Sequence, residues 1–312
     1  GKDDFFLSSD VLGFIEFTDD AIYLENGNFV ILEKNKFQIL DFQGEHVKYG
    51  ITKVSKEFGD VYKGDYAHFT LKEIHEQYET VLKAGEKTQE AIEKTANYIK
   101  HAKNIYITGS GTSYNSALIA KQIFSKYAKI KAEPIISSEL QFSPNSIEEN
   151  SIIIAISQSG ESADVLDAVR IGKESNCKVI AIVNLMTSSL AREADVVIGM
   201  NCGPEIGVAA TKSFTSQLVV LYKIVQKLTD NKVTINFEKF SESVLKILEN
   251  PTKIKKIAKV LKDISDIYVL GRGINYPIAM EAALKLKELT YIHAEGIPGG
   301  ELKHGPLALM DS

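Results

Sequence analysis

The spacing of apolar positions changes character twice along this chain. Between Ala21 and Val47, in "AIYLENGNFVILEKNKFQILDFQGEHV", apolar and polar residues alternate, and the alternation breaks at Asn26-Gly27 and again near Gln43-Gly44. Alternation punctuated by Asn-Gly predicts an antiparallel meander. So few strands make a poor core alone, so the segment reads as the end of a larger domain. From about Leu71 to Ala102 the period becomes helical, with Ile74, Val81, Leu82, Ile92, Ala96 and Ile99 near 3.6 spacing and charges between them. This stretch reads as a linker that becomes the first helix of the next domain. From Asn104 the apolar runs "NIYIT", "AEPIIS", "SIIIAIS", "KVIAIVN" and "DVVIGM" alternate with helical stretches, and "TSQLVVLYKIVQKL" closes the unit. Strands that are apolar throughout predict a parallel sheet covered by helices on both faces.

An internal repeat adds to this picture. A shift of 162 residues (266 − 104) lays "NIYITGSGTSYNSALIAKQ" on "DIYVLGRGINYPIAMEAAL" and holds without a gap from Asn104/Asp266 to Pro144/Pro306. The matches include Gly109/Gly271, Gly111/Gly273, Tyr114/Tyr276, Glu133/Glu295 and Glu139/Glu301. Adding 162 to Ser151, where "SIIIAIS" begins, gives 313, beyond the last residue. The expectation is one complete α/β unit and one partial copy of it, in a fragment of a longer protein.

Composition narrows the function classes. With 44% hydrophobic and 25% charged residues and a net charge of -5, the chain is an ordinary globular one with no basic face for nucleic acid. No apolar stretch approaches the roughly 18 residues of a membrane span, and "GKDDFFLSSD" is no signal peptide, so a cytoplasmic protein without a membrane partner is expected. Cys177 and Cys202 read as free thiols of a reducing compartment.

Candidate chemistry sits at the carboxyl ends of the strands, where open α/β sheets bind ligands. Ser157-Gln158-Ser159-Gly160-Glu161-Ser162 follows "SIIIAI" and precedes the helical "ADVLDAVRIGK". A helix N-terminus with clustered hydroxyls, an amide and a glycine suits a phosphate. The ordinary reading is that Ser159 merely caps the helix. "GSGTSY" begins like a dinucleotide-binding loop but carries Tyr114 where the third glycine would stand, with hydroxyls at Ser110, Thr112 and Ser113. A sugar suits it better than a dinucleotide, and neither a cofactor nor a metal is expected.

"GSGTSYNS", "ISQSGESADVLDAV", "EIGVAATKSFTSQL" and "ALKLKELTYIHAEGIPGGELKHGPLAL", in this order, closely resemble the glutamine:fructose-6-phosphate amidotransferase (glucosamine-6-phosphate synthase) family. That family joins an Ntn glutaminase domain to two sugar isomerase (SIS) domains. The resemblance implies a C-terminal glutaminase part in residues 1–70, a linker in 71–84, a first SIS domain in 85–232 and the start of a second in 233–312. It implies that Ser157, Gln158, Ser159 and Ser162 hold the phosphate of fructose 6-phosphate or glucosamine 6-phosphate. Thr112, Ser113 and Val208 would line the sugar. Glu288 would move a proton between the first two sugar carbons with Lys285 beside it, and His304 would assist ring opening in a neighbouring subunit, which implies a homodimer. Ketose to aldose isomerisation does need a carboxylate near the carbon acid and a group able to shuttle a ring-hydroxyl proton. Read without the family, Glu288 is a solvated helix charge and His304 a loop residue.

Departures from the family matter too. The family's glutaminase nucleophile is an N-terminal cysteine, whereas this chain begins with Gly1, and the C-terminal tail that supplies the lysine forming an imine with the ketose is missing from it. Ser162 replaces a usual threonine and Ala210 a usual serine. The parent would convert fructose 6-phosphate and glutamine to glucosamine 6-phosphate and glutamate, on the route to UDP-GlcNAc. This chain alone is expected to fall short of the full reaction. The alternative is a non-catalytic phosphosugar-binding SIS module or regulator.

Overall fold

The computed structural model describes residues 4–8, 13–15, 17–34, 36–54 and 63–309, and the chain divides into two compact units, 1–62 and 63–312. Part of the opening stretch read above, residues 1–3 and 9–10, thus lies outside the described residues.

The N-terminal unit holds β1 (Asp20–Ala21), β2 (Phe29–Glu33), β3 (Lys36–Leu40) and β4 (Thr52–Lys53). β2 pairs antiparallel with β3, and β1 with β4. The meander is thinner than its alternation predicts. Asn26-Gly27 does turn, with Gly27 at φ 90 and the Asn28 N–H donating to Glu25 O, yet residues 22–25 form no strand. The hairpin closes instead between Glu33 and Lys36, which pair directly. A local turn signal sets a bend, whereas a strand exists only where a partner is in register. The second turn is as read: Asp41 accepts the N–H groups of Gln43 and Glu45, Gly44 takes φ 83, and His46 bridges back to Leu40.

The second unit opens with α1 (Phe69–Lys83) and α2 (Gln89–His101), where the periodicity suggested one continuous helical stretch. Gly85, at φ 70, breaks it and donates its N–H to Gly199 O at 3.0 Å. A left-handed residue of this kind ends a helix, and glycine adopts it without a steric penalty. Then come β5 (Ile105–Gly109), α3 (Thr112–Ile123), β6 (Glu133–Ile136), α4 (Ser137–Leu140) and β7 (Ile152–Ser157). After them follow α5 (Ala163–Glu174), β8 (Lys178–Val183), α6 (Ser189–Glu193), β9 (Val196–Gly199) and α7 (Lys212–Leu228). All five apolar runs are strands of one parallel sheet, ordered β6-β5-β7-β8-β9.

Both faces of the sheet are covered, which is why the strands could be apolar throughout. Along β7, Ile152, Ile154 and Ile156 pack with residues of α2, α3 and α7, while Ile153 and Ala155 pack with residues of α4, α5 and α6. The strand order reverses between β5 and β7, so their loops diverge to opposite sides and leave a crevice at their carboxyl ends.

The chain continues through α8 (Phe237–Glu249) and α9 (Thr252–Leu261) to β10 (Asp266–Gly271), α10 (Asn275–Thr290) and β11 (His293–Pro298). This last β-α-β is the repeat in three dimensions. Tyr106 pairs with Glu133 in the parallel β5/β6 ladder, and Tyr268 with Glu295 in the parallel β10/β11 ladder, each displaced by the same 162 residues (268 − 106 and 295 − 133). Gly111 and Gly273 take matching backbone conformations, φ 53 and φ 54. Among the described residues, no helix is long and apolar enough to cross a membrane.

Candidate functional site

The crevice is built from the loops that follow β5 and β7. After β7 the chain must turn under the β8 to α6 connection, and Gly160 permits it: at φ 69, a Cβ there would lie 2.2 Å from Ser188 Oγ. The turn is stitched in place by backbone donors. Gly160 N–H donates to Ser157 Oγ at 3.0 Å, Glu161 N–H to Ser159 Oγ at 3.2 Å, and Asn184 N–H to Gln158 O at 3.1 Å. Glu161 in turn accepts the N–H of Ser189 at 2.8 Å.

This arrangement answers the capping question. The residue that caps α5 is Ser162, not Ser159, and its hydroxyl makes no capping bond. Ser157 and Ser159 accept from the backbone through their oxygens, so their O–H groups remain to donate. Ser157 is buried, whereas Gln158, Ser159 and Ser162 are half-buried at the mouth of the turn. The turn therefore offers donors beyond those a cap consumes, beside the positive end of a 12-residue helix.

The loop after β5 is tighter. A Cβ on Gly109 would meet Ser113 Cβ at 2.8 Å and Ile156 O at 3.1 Å, so glycine lets the start of α3 sit directly on β5 and β7. Ser110 Oγ lies 2.5 Å from Ser137 Oγ. Thr112 and Ser113, in the first turn of α3, are buried and engaged by protein groups. Thr112 donates to Glu281 Oε1 at 2.9 Å and accepts from Lys285 Nζ at 3.0 Å, and Ser113 accepts from Gln217 Nε2 at 3.2 Å.

The second copy supplies the charged groups. Lys285 on α10 lies 2.6 Å from Glu288 Oε2 and 3.3 Å from Glu281 Oε1. The Glu288 side chain is 28% exposed, and its Oε2, fully buried, faces the Lys285 ammonium, so it is not a freely solvated helix charge. Glu281 is a residue the sequence reading missed. At 5% exposure it accepts from Thr112, from Asn115 Nδ2 at 2.7 Å and pairs with Lys285, tying α3 to α10. A signal for it existed in the repeat, because position 281 corresponds to Ile119 (281 − 162), a core residue of the first copy. A carboxylate where the other copy has a buried isoleucine needs partners.

Two of the expected residues are exposed. Val208 lies in the loop between β9 and α7 and is 87% exposed. His304 lies exposed after β11, and its ring makes no hydrogen bond or ion pair among the described residues. Both cysteines are free and buried, and burial pushes the Cys202 thiol up to about 12, so neither is poised as a nucleophile. Among the described residues no group of three or more His, Cys, Asp or Glu is placed to hold a metal.

Known proteins agree with this architecture. The SIS domain family matches residues 98–226 and 260–312. The chain is 40% identical over its whole length to the glutamine–fructose-6-phosphate aminotransferase [isomerizing] of Methanothermobacter thermautotrophicus and covers 52% of that protein. With the enzyme of the same name from Thermococcus kodakarensis the identity is 38% over the whole chain, covering 54% of that protein. The chain thus spans about half the length of these curated relatives. Among solved structures, the C-terminal domain of glucosamine-fructose-6-phosphate aminotransferase from Francisella tularensis superposes with a TM-score of 0.69 at 38% identity, over 80% of this chain and 75% of that one. Two SIS segments joined by α3 and α10, with sequence likeness that runs through both, place the chain: it belongs to the SIS-domain family, in the branch formed by the glutamine–fructose-6-phosphate aminotransferases.

Proposed function

We propose that the chain carries the phosphosugar isomerase site of an enzyme that converts fructose 6-phosphate and glutamine to glucosamine 6-phosphate and glutamate, in the cytoplasm. The observation that carries this reading is the Ser157 to Ser162 turn, whose donors exceed the needs of the α5 cap at the carboxyl end of β7. Ser157, Gln158, Ser159 and Ser162 bind the phosphate, Ser157 from the buried base of the turn. Thr112 and Ser113 form the wall of the sugar pocket and Val208 its outer edge. Glu288 takes the proton from the first carbon of the open ketose and returns it to the second. Lys285, held between Glu281 at 3.3 Å and Glu288 at 2.6 Å, stands beside the base where a sugar hydroxyl exchanges its proton.

His304 opens the ring in the site of a second copy. Its ring is exposed and makes no hydrogen bond or ion pair among the described residues, which leaves it available to a second copy. The working assembly is a homodimer. Residues 1–70 are the end of a glutaminase domain, 71–84 a linker, 85–232 the first SIS domain and 233–312 the start of the second. Calorimetry with fructose 6-phosphate, with fructose and with Ser159→Ala tests the site. Selective binding of the phosphorylated sugar, weakened by the substitution, is the expected result; equal binding of both sugars would remove the phosphate cradle.

A further inference from the structure

Helix α1 was read from sequence as connecting material, yet its acidic residues are engaged by the loop before α7 and by α7 itself. Glu73 is 2% exposed, and its carboxylate accepts the N–H of Ile206 at 2.5 Å and that of Gly207 at 2.9 Å. A buried carboxylate on two successive amides is a strong, directional arrangement, because charge-assisted bonds replace the water the group has lost. The approach is close enough to demand glycine. A Cβ on Gly207 would lie 2.5 Å from Glu73 Oε2 and 2.5 Å from Thr70 Oγ1. One turn further along α1, Glu76 pairs with Lys212 at 2.6 Å, and Lys212, 2% exposed, is the first residue of α7. Burial opposes ionisation of Glu76, but the ammonium groups of Lys212 and Lys72 outweigh it and hold its carboxyl below the usual range.

Further contacts hold the start and end of the same loop. Asn201 Nδ2 donates to Lys83 O at 3.2 Å, at the C-terminal end of α1. Glu205 accepts the N–H of Thr211 at 2.8 Å and of Ser213 at 3.2 Å. The chain from Asn201 to Lys212 is therefore held at its start, middle and end, and Val208 is the residue left projecting, next to the clamped Gly207. We infer that α1 positions this loop and that Glu73, through the amides of Ile206 and Gly207, sets where Val208 stands over the bound sugar. That a sugar lies there rests on the function proposed above; that Glu73 holds the loop does not.

The absence of tryptophan from the chain gives a direct test. In the otherwise unaltered protein, Val208→Trp places a single indole on the loop, and its fluorescence anisotropy reads loop mobility with and without Glu73→Gln. The affinity for fructose 6-phosphate is measured separately by calorimetry on Glu73→Gln with Val208 intact. The expected result is a fall in anisotropy and an affinity about tenfold weaker, with a melting temperature lowered by no more than about 4 °C. A merely structural role would lower the melting temperature and leave the sugar affinity of the folded protein unchanged, which overturns the proposal. Unchanged anisotropy overturns it as well. If Glu73→Gln does not fold, Glu76→Gln, whose side chain is 28% exposed, applies the same readouts to the Lys212 end of the loop. Failure of the unaltered protein to bind the sugar would sink the functional reading alone, with anisotropy still deciding whether α1 holds the loop.

Discussion

The β5-α3-β6 and β10-α10-β11 units share a backbone plan and differ in what their helices bury. In α3, Ile119 and Ile123 are 1% and 0% exposed and belong to the core. The equivalent positions of α10, at 281 and 285, are a glutamate and a lysine, and they face Thr112 and Asn115 of α3 instead of a core. The strands differ too. All five residues of β5 are buried between two neighbouring strands, whereas β10, paired with β11, leaves Leu270 46% exposed. One plan thus serves two tasks, with the first copy supplying a packed sheet and the donor-rich turn after β7, and the second a charged helix face. The lesson is that duplication conserves backbone geometry, while side-chain substitution on one helix face moves that face from core to site.

Forcing the first copy to resemble the second should do the most damage. Ile119→Glu would put an unpaired carboxylate in an apolar core, at a cost of several kcal/mol against a total stability of about 5–15 kcal/mol. Loss of cooperative thermal unfolding by circular dichroism is expected; a melt like that of the parent would mean the two helix faces are interchangeable. Next in size is Glu288→Gln, tested in the full-length enzyme because the proposed reaction needs it. A base acting mainly in the transition state should lower kcat by about 10²- to 10⁴-fold with little change in KM. Product formation near the parental rate would return Glu288 to a charge with no part in the chemistry.

The reverse exchange, Glu281→Ile, makes the second copy like the first and leaves the donors of Thr112 and Asn115 unpaired. A loss of about 2 kcal/mol is expected, read as a lower urea midpoint with an unchanged slope. An unshifted midpoint would show that the α3 to α10 contact does not depend on this carboxylate. The smallest effect concerns the turn after β7, the proposed phosphate site. Ser159→Ala should weaken fructose 6-phosphate binding roughly tenfold, the worth of one hydrogen bond to a charged group. Calorimetry showing the same loss for unphosphorylated fructose would mean that Ser159 serves the sugar and not its phosphate.

Much of this was legible in the sequence by itself. The inner strands β5, β7 and β8 could be read because a strand covered on both faces is apolar almost throughout, as "SIIIAIS" is; the edge strand β6, with Glu133 and Ile136 exposed, fitted the alternation of strands and helices instead. The repeat was legible because two copies of one plan keep their glycines where a side chain would clash, as Gly109 and Gly271 do. The turn after β7 was legible as a local excess of donors. The N-terminal meander was less so, since alternation names the face of a strand and not its pairing, and residues 22–25 form no strand. What only the tertiary structure decided is which distant groups meet. Glu281 with Thr112 and Asn115, and Glu73 with the amides of Ile206 and Gly207, are separated by well over a hundred residues. Periodicity assigns a carboxylate to a helix face but carries no information about what that face will touch, and a buried charge is set by its partners.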